Sequence, residues 1–306
     1  MKFTEEDLRK AELSDEEIDG IKRQHLGGAS GGEGVRYEVD YAIYRLLVAM
    51  PGYVRRGRDV GVLLQDMCPV DDVVIDAETR EYCQLKTGAS ETWGANSDKL
   101  ERQFKLQKRL CEVSGDAAFL LRLVTPHEER YRSFSENLPV HLEPCTEITL
   151  FRQLEGRREM WSETSPCYEE LRELCAYEPD SPSHREVIVA LFYDRLQATP
   201  PGEVCYLSAI ADYLESNEDL AFAIPMVLGD VEPPPKWKEA VATTDRISGL
   251  TLHINGGFCY YNYIYKSGAS DSGAIGRVGS DRLHRFLDRI VNTRPSAIDE
   301  FWEQLP

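Results

Sequence analysis

Between residues 60 and 125 the hydrophobic period of the chain changes repeatedly, and those changes constrain the fold more than any other feature. Before them, residues 37–47 carry apolar side chains at 39, 42/43 and 46/47, the period of a helix with one buried stripe. Residues 60–64, 71–76 and 82–87 then read as three short strands, with a tight connection at 77–80. A helix fits 96–112, with Leu100, Phe104, Gln107 and Leu110 on one side. Residues 117–124, Ala-Ala-Phe-Leu-Leu-Arg-Leu-Val, are apolar on both faces and predict a buried strand. The order α-β-β-β-α-β defines a mixed α/β unit.

At 306 residues the chain is long enough for two domains. Residues 1–26 predict an acidic helical arm, because Thr4 and Ser14 each precede an acid by three positions in the pattern of a capping box. Such an arm is either a solvated cap or an acidic docking segment for a partner. The glycine stretch 27–34 lacks the Lys-Ser/Thr ending of a phosphate-binding loop. Residues 27–135 form the α/β domain, and 136–306 read as a mainly helical domain. Within the latter, helices at 183–196 and 207–214, a hairpin around Asn255-Gly256-Gly257 and a helix at 281–292 capped by Ser280 suggest a winged-helix-like module over 185–292. Glycines 268, 273, 276 and 279 read as a flexible loop. The alternating Phe258, Tyr260, Tyr261, Tyr263 and Tyr265 fit a sheet surface packed on helices or a base-stacking platform. The eight cysteines contain no C-x-x-C pair, which reads as reduced thiols. No apolar run long enough for a membrane span and no secretory leader are recognised, so a cytoplasmic location without membrane partners is expected.

Chemistry concentrates in Asp72 and Gln84-Leu85-Lys86. Residues 84 and 86 alternate onto one strand face, Leu85 turns to the other, and a short hairpin brings Asp72 beside them. A carboxylate, an amide oxygen and an ammonium suit a hard, oxygen-preferring cation, with the lysine poised over a water. Asp71 competes with Asp72 for the metal role, and Asp72 is favoured because it adjoins the apolar run Val73-Val74-Ile75. Asp66 is either a displaced ligand or a surface residue.

Taken together, G-G-x-x-G before a tyrosine-rich helix, then Asp71-Asp72-Val73-Val74-Ile75, then Tyr82-Cys83-Gln84-Leu85-Lys86-Thr87-Gly88, then Trp93 and a helix with F-x-x-Q form one ordered pattern. Over residues 25–125 it resembles the double-stranded DNA endonuclease effector domain of bacterial anti-phage systems, including CBASS and Lamassu. That domain belongs to the PD-(D/E)xK restriction-endonuclease-like superfamily. The resemblance implies Asp72 as metal ligand, Gln84 in the position usually held by Asp or Glu, Lys86 as catalytic lysine and Glu38 as the additional acid. It also implies Mg²⁺, or Mn²⁺ in its place, held by Asp72, Gln84, the Leu85 carbonyl and Glu38. The implied partners are double-stranded DNA, an SMC-like ATPase, an adaptor subunit, and further copies of the chain as a dimer or tetramer. Residues 126–306 resemble no family.

Charge qualifies this expectation. With 35 Lys and Arg against 53 Asp and Glu, the formal net charge is −18, which disfavours standing affinity for nucleic acid. The acids cluster in 1–20, 138–184 and 209–245, whereas cations gather elsewhere. Arg55, Arg56 and Arg58, together with Lys99, Arg102 and Lys105, are the candidate DNA contacts. A further basic helix runs from Arg277 to Arg294, and Trp93 either packs in the core or meets a DNA groove. The competing reading is an inactive nuclease-fold subunit that serves as a protein-interaction component, suggested by the neutral Gln84 and the net charge.

Overall fold

The computed structural model describes residues 3–27, 32–88, 92–93, 98–116, 118–174, 182–216, 233–255, 258–278 and 280–305. Glycines 28, 31, 256, 257 and 279 of the sequence argument lie outside this set. The chain divides into two compact units. The first comprises Met1–Ala49, Asp59–Tyr168 and Val189–Ile210, and the second Met50–Arg58, Glu169–Ile188 and Ala211–Pro306.

The first unit contains the expected α-β-β-β-α-β order. Helix α3 (Gly32–Arg56), whose end from Met50 onward belongs to the second unit, precedes β1 (Gly61–Leu64), β2 (Val73–Asp76) and β3 (Arg80–Leu85). Helix α4 (Asp98–Val113) then crosses to β4 (Phe119–Thr125). Strands β1, β2 and β3 form an antiparallel meander, and β4 joins β3 in parallel, as a helical crossover requires. Two strands beyond residue 135 complete this sheet. These are β5 (Thr146–Leu150), parallel to β4, and the two-residue β6 (Cys205–Tyr206), antiparallel to β1, which gives the order β5-β4-β3-β2-β1-β6.

Strand alternation decides what each face meets. Leu63, Val74 and Tyr82 lie side by side in register and pack with Leu100, Phe104 and Leu110 of α4. On the other face, Glu81 accepts two bonds from the Arg45 guanidinium of α3, each 2.7 Å long. Arg122 of β4 adds a 2.8 Å bond to the same carboxylate. Burial raises the Glu81 pKa, but the two guanidinium groups outweigh it and hold the carboxyl below its usual range. Tyr37 of α3 donates its hydroxyl to the Phe151 carbonyl at 2.6 Å, and Tyr41 and Tyr44 pack their rings on Phe151.

The N-terminal arm is part of this core. Helices α1 (Glu5–Lys10) and α2 (Asp15–Gly27) start as their caps predict. Thr4 Oγ1 accepts from the Asp7 N–H, and the Ser14 N–H donates to Glu17. Phe3 stacks on Tyr82 with centroids 5.8 Å apart, and Leu8, Ala11, Leu13, Ile18 and Ile21 are buried beside α4. Each buried apolar side chain of this size contributes roughly 1.5–3 kcal/mol. A solvated cap does not describe an arm so embedded. Its acids also bind cations of α4, Glu17 to Arg102 and Glu12 to Arg109.

In the second unit, β7 (Leu250–Asn255), β8 (Phe258–Ile264) and β9 (Ser270–Arg277) form an antiparallel meander. Glycines 273 and 276, read as loop from sequence, lie in β9, and Gly268 takes the positive φ of the turn that leads to it. A Cβ on Gly273 would sit 2.5 Å from the ring of Tyr261, so the glycine is a seat for that ring. Helix α10 (Asp281–Thr293), capped by Ser280, buries Leu283, Phe286, Leu287 and Ile290 against the meander. Tyr261 and Tyr263 meet Trp302 of α11 (Ile298–Trp302) edge-on, so these tyrosines pack against a helix as one sequence reading proposed. Seven described cysteines are in no disulfide. Among the described residues no helix is long and apolar enough to cross a membrane.

If the arm is core, Leu8→Ala lowers the unfolding free energy by about 2–4 kcal/mol, while the exposed Glu6→Ala shifts it by less than about 0.5 kcal/mol. Urea titration followed by tryptophan fluorescence measures both, and equal effects would refute the assignment.

Candidate functional site

Strand register makes Asp72 and Gln84 cross-strand neighbours. Val73 pairs with Cys83, so one step before β2 lies opposite one step further along β3. The Asp72 carboxylate takes up this position with a short bond from the Gln84 amide nitrogen to Oδ2. The same oxygen accepts from the Leu85 N–H at 2.6 Å. Lys86 follows directly, its backbone held by an N–H bond to the Val124 carbonyl at 2.9 Å that continues the parallel ladder. The part of Leu85 that meets Asp72 is thus its N–H, whereas the resemblance implied a role for its carbonyl.

Glu38 reaches this spot from α3. It lies seven residues before Arg45, two helical turns along the same side. Gln65 donates from Nε2 to its Oε2 at 3.3 Å. Burial, then the negative charges of Asp72 and Asp71, push the Glu38 carboxyl up to about 8, against the pull of Gln65 and Lys86. Glu38, Asp72, Gln84 and Lys86 therefore share one end of the sheet, as the sequence expected.

Other positions differ from expectation. Asp66 is not a surface residue; it is buried, and its Oδ1 accepts from the Met67 N–H at 2.8 Å. Asp71 is buried and close enough to act on Glu38. Gln65 is the residue that sequence reasoning missed. It adopts φ 53, the left-handed region that a non-glycine residue enters at a cost, and donates its N–H to the Asp72 carbonyl at 3.1 Å. Nothing in the run Leu64-Gln65-Asp66 signals that turn.

The donor set fits a hard cation in three respects. Two carboxylates face each other in half-buried surroundings, where a positive ion relieves their repulsion. The Gln84 Oε1 is buried with no hydrogen-bond donor, an acceptor left over. All are oxygen donors of the kind Mg²⁺ prefers. Among the described residues no three His, Cys, Asp or Glu side chains form a metal-holding group by themselves, so a cation here depends on amide and main-chain oxygen.

The proposed DNA contacts fare less uniformly. Arg55 is paired with Glu173, Arg102 with Glu17 at 2.9 Å, and Lys105 with Glu101 at 2.6 Å. Arg56 and Arg58 are exposed at and beyond the end of α3. Lys99 lies in α4, with its side chain outside the described set. Trp93 is a core residue, 4% exposed, and its indole N–H donates to the Phe134 carbonyl at 2.9 Å.

The Glu38 shift sets a pH dependence. The unfolded chain releases this proton near 4.5, the ordinary value for a glutamate, while the folded chain keeps it up to about 8, so stability falls as pH rises through that window. Glu38→Gln is expected to flatten this part of the profile and to be the more stable protein at pH 8, by on the order of 2 kcal/mol. Thermal melts of both proteins from pH 4 to 9 test this, and parallel profiles would contradict it. No protein-family model, no curated protein and no solved structure matches the chain.

Proposed function

We propose that the first unit is a Mg²⁺-dependent endonuclease of double-stranded DNA, the effector of a bacterial anti-phage complex of Lamassu type. The observation that carries this reading is the meeting of Glu38, Asp72, Gln84 and Lys86, drawn from α3 and two neighbouring strands, at one end of the sheet. The order of motifs in which they occur, described above, supplies the chemical class.

In this reading Asp72, Glu38, the Gln84 Oε1 and the Leu85 carbonyl hold the metal. When bound, Mg²⁺ neutralises charge on a scissile phosphate and acidifies a water. The chain's own residues provide the rest. Two N–H donors hold the Asp72 carboxylate, so its orientation is set before any ligand arrives. Gln65 holds Glu38 in the same way, and Glu38 accepts a proton or shares the cation. The Lys86 ammonium, on a backbone fixed by Val124, donates to the attacking water or to the phosphate oxygens as charge develops. Restraint by an SMC-like ATPase and an adaptor, with release into dimers or tetramers, completes the proposal.

A second reading has its own observation. Gln84 is neutral and already satisfies Asp72, so the site is stable as a hydrogen-bonded cluster without metal. The unit would then be an inactive nuclease fold that binds partner proteins.

Plasmid nicking with Mg²⁺ separates the two. The enzyme reading expects wild type to cut, Lys86→Ala to lose about 100-fold or more of the activity, and Mg²⁺ to raise the melting temperature of wild type but not of Asp72→Asn. If oligomeric wild type with its partners never nicks and Mg²⁺ leaves the melt unmoved, the inactive reading replaces it.

A further inference from the structure

The second unit carries a row of arginines that the proposed active site does not use. Arg282, Arg285 and Arg289 follow i, i+3, i+7 on α10, so they stack along one flank. Arg285 and Arg289 are exposed, and among the described residues none of the three is paired with an acid. Arg282 has its Nε buried without an acceptor. The apolar stripe Leu283, Phe286, Leu287 and Ile290 anchors the helix on the meander, so the row rests on a rigid element. The two acids of α10, Asp281 and Asp288, border the row four residues before and three residues after Arg285, and Asp288 is engaged by Lys236 at 2.5 Å.

In a chain of net charge −18, three arginines on one flank of a well-packed helix form a local cationic patch that a polyanion complements. From Arg282 to Arg289 the row extends about 10 Å, at about 1.5 Å per residue. A DNA strand offers one phosphate per about 3.4 Å of axis, so a row of this length faces about three. Three of the cations proposed from sequence as DNA contacts (Arg55, Arg102 and Lys105) are already neutralised by acids.

We infer that the α10 row of Arg282, Arg285 and Arg289 binds the phosphate backbone of double-stranded DNA. It deepens the endonuclease reading by naming a surface that holds the substrate, and it rests on that reading for the identity of the polyanion. Recognition is of phosphate and carries no sequence preference.

The test uses the full chain and a fluorescent 30-base-pair duplex in EDTA, so that no cutting intervenes, across a salt series from about 50 mM upward. The variants are Arg285→Gln with Arg289→Gln, and the same pair with Arg282→Gln added; Arg132→Gln, whose cation already pairs with Glu128, is the control. The double variant is expected to bind about tenfold or more weakly at 50 mM salt, with the slope of log K against log salt reduced by about 1.8. The control is expected to bind as wild type does. If the triple variant fails to fold in a thermal melt, the exposed pair alone carries the test. Wild type that binds no duplex at 50 mM salt overturns the inference. So does a double variant with unchanged affinity and slope, and so does one that keeps DNA binding but loses self-association, which would assign the row to an acidic protein surface. The endonuclease reading fails separately. A wild type that binds through the row but never nicks plasmid with Mg²⁺ removes the nuclease and leaves the row, and a nicking wild type with an unaffected double variant does the reverse.

Discussion

The contact on which the candidate site depends lies one strand-length away from it. Arg45 clamps Glu81 with two parallel hydrogen bonds, and Arg122 holds the same carboxylate from the next strand. An ion cluster so enclosed tolerates little sliding, because separating its members leaves charge in low dielectric at a cost of about 3–5 kcal/mol. It therefore fixes the height of α3 along β3. Glu38, two turns before Arg45, comes to lie over the far end of the strand beside Asp72. The helix runs counter to β3, and its register is set at one end and used at the other. Tyr41, buried between the two, and the Tyr37 bond to Phe151 prevent the helix from rolling.

At that far end the opposing preferences are of similar size. Burial and like charge disfavour two ionised carboxylates, yet the chain brings them together and adds Asp71. Two features offset the conflict. Asp72 is satisfied by an amide and a main-chain N–H, and Glu38 takes a proton and a bond from Gln65. The second feature costs backbone strain at Gln65. Backbone strain, a raised carboxyl and a buried amide oxygen without a donor thus meet within one small region.

How much of this was legible in the sequence follows from how local each determinant is. Strands β1 to β4 and helix α4 were readable because their side chains alternate with a period set by their own backbone. The caps at Thr4, Ser14 and Ser280 were readable because a hydroxyl and a nearby N–H suffice. Glu38, Asp72, Gln84 and Lys86 were found through motif order and local spacing. Strand β9 was lost because glycine usually marks a loop, whereas Gly273 is there to let the Tyr261 ring lie against the strand. The burial of the arm was lost beneath its charge, since its five excess acids (3 basic against 8 acidic over residues 1–20) hide the apolar stripe Leu8, Ile18 and Ile21. Strand β6 has no pattern of its own. It exists because Cys205 and Tyr206 find Val62 and Gly61 across 140 residues of chain, and Gly61 must be glycine because a Cβ there would collide with Val204 and Tyr206.

Both outer strands of the six-stranded sheet are encoded after the four inner ones, β5 at 146–150 and β6 at 205–206. A polypeptide leaving the ribosome thus leaves the β4 edge raw until residue 150 has emerged and the β1 edge raw until residue 206 has, and each raw edge is a template for pairing with a neighbouring nascent chain. Translation order makes the last short strand a partial seal: once Cys205 and Tyr206 dock, the Gly61–Val62 stretch of the β1 edge is paired within the chain. A gene cut at the sequence-based boundary near residue 135 would express the four inner strands without that seal, and such a fragment would be sticky for reasons unrelated to its chemistry.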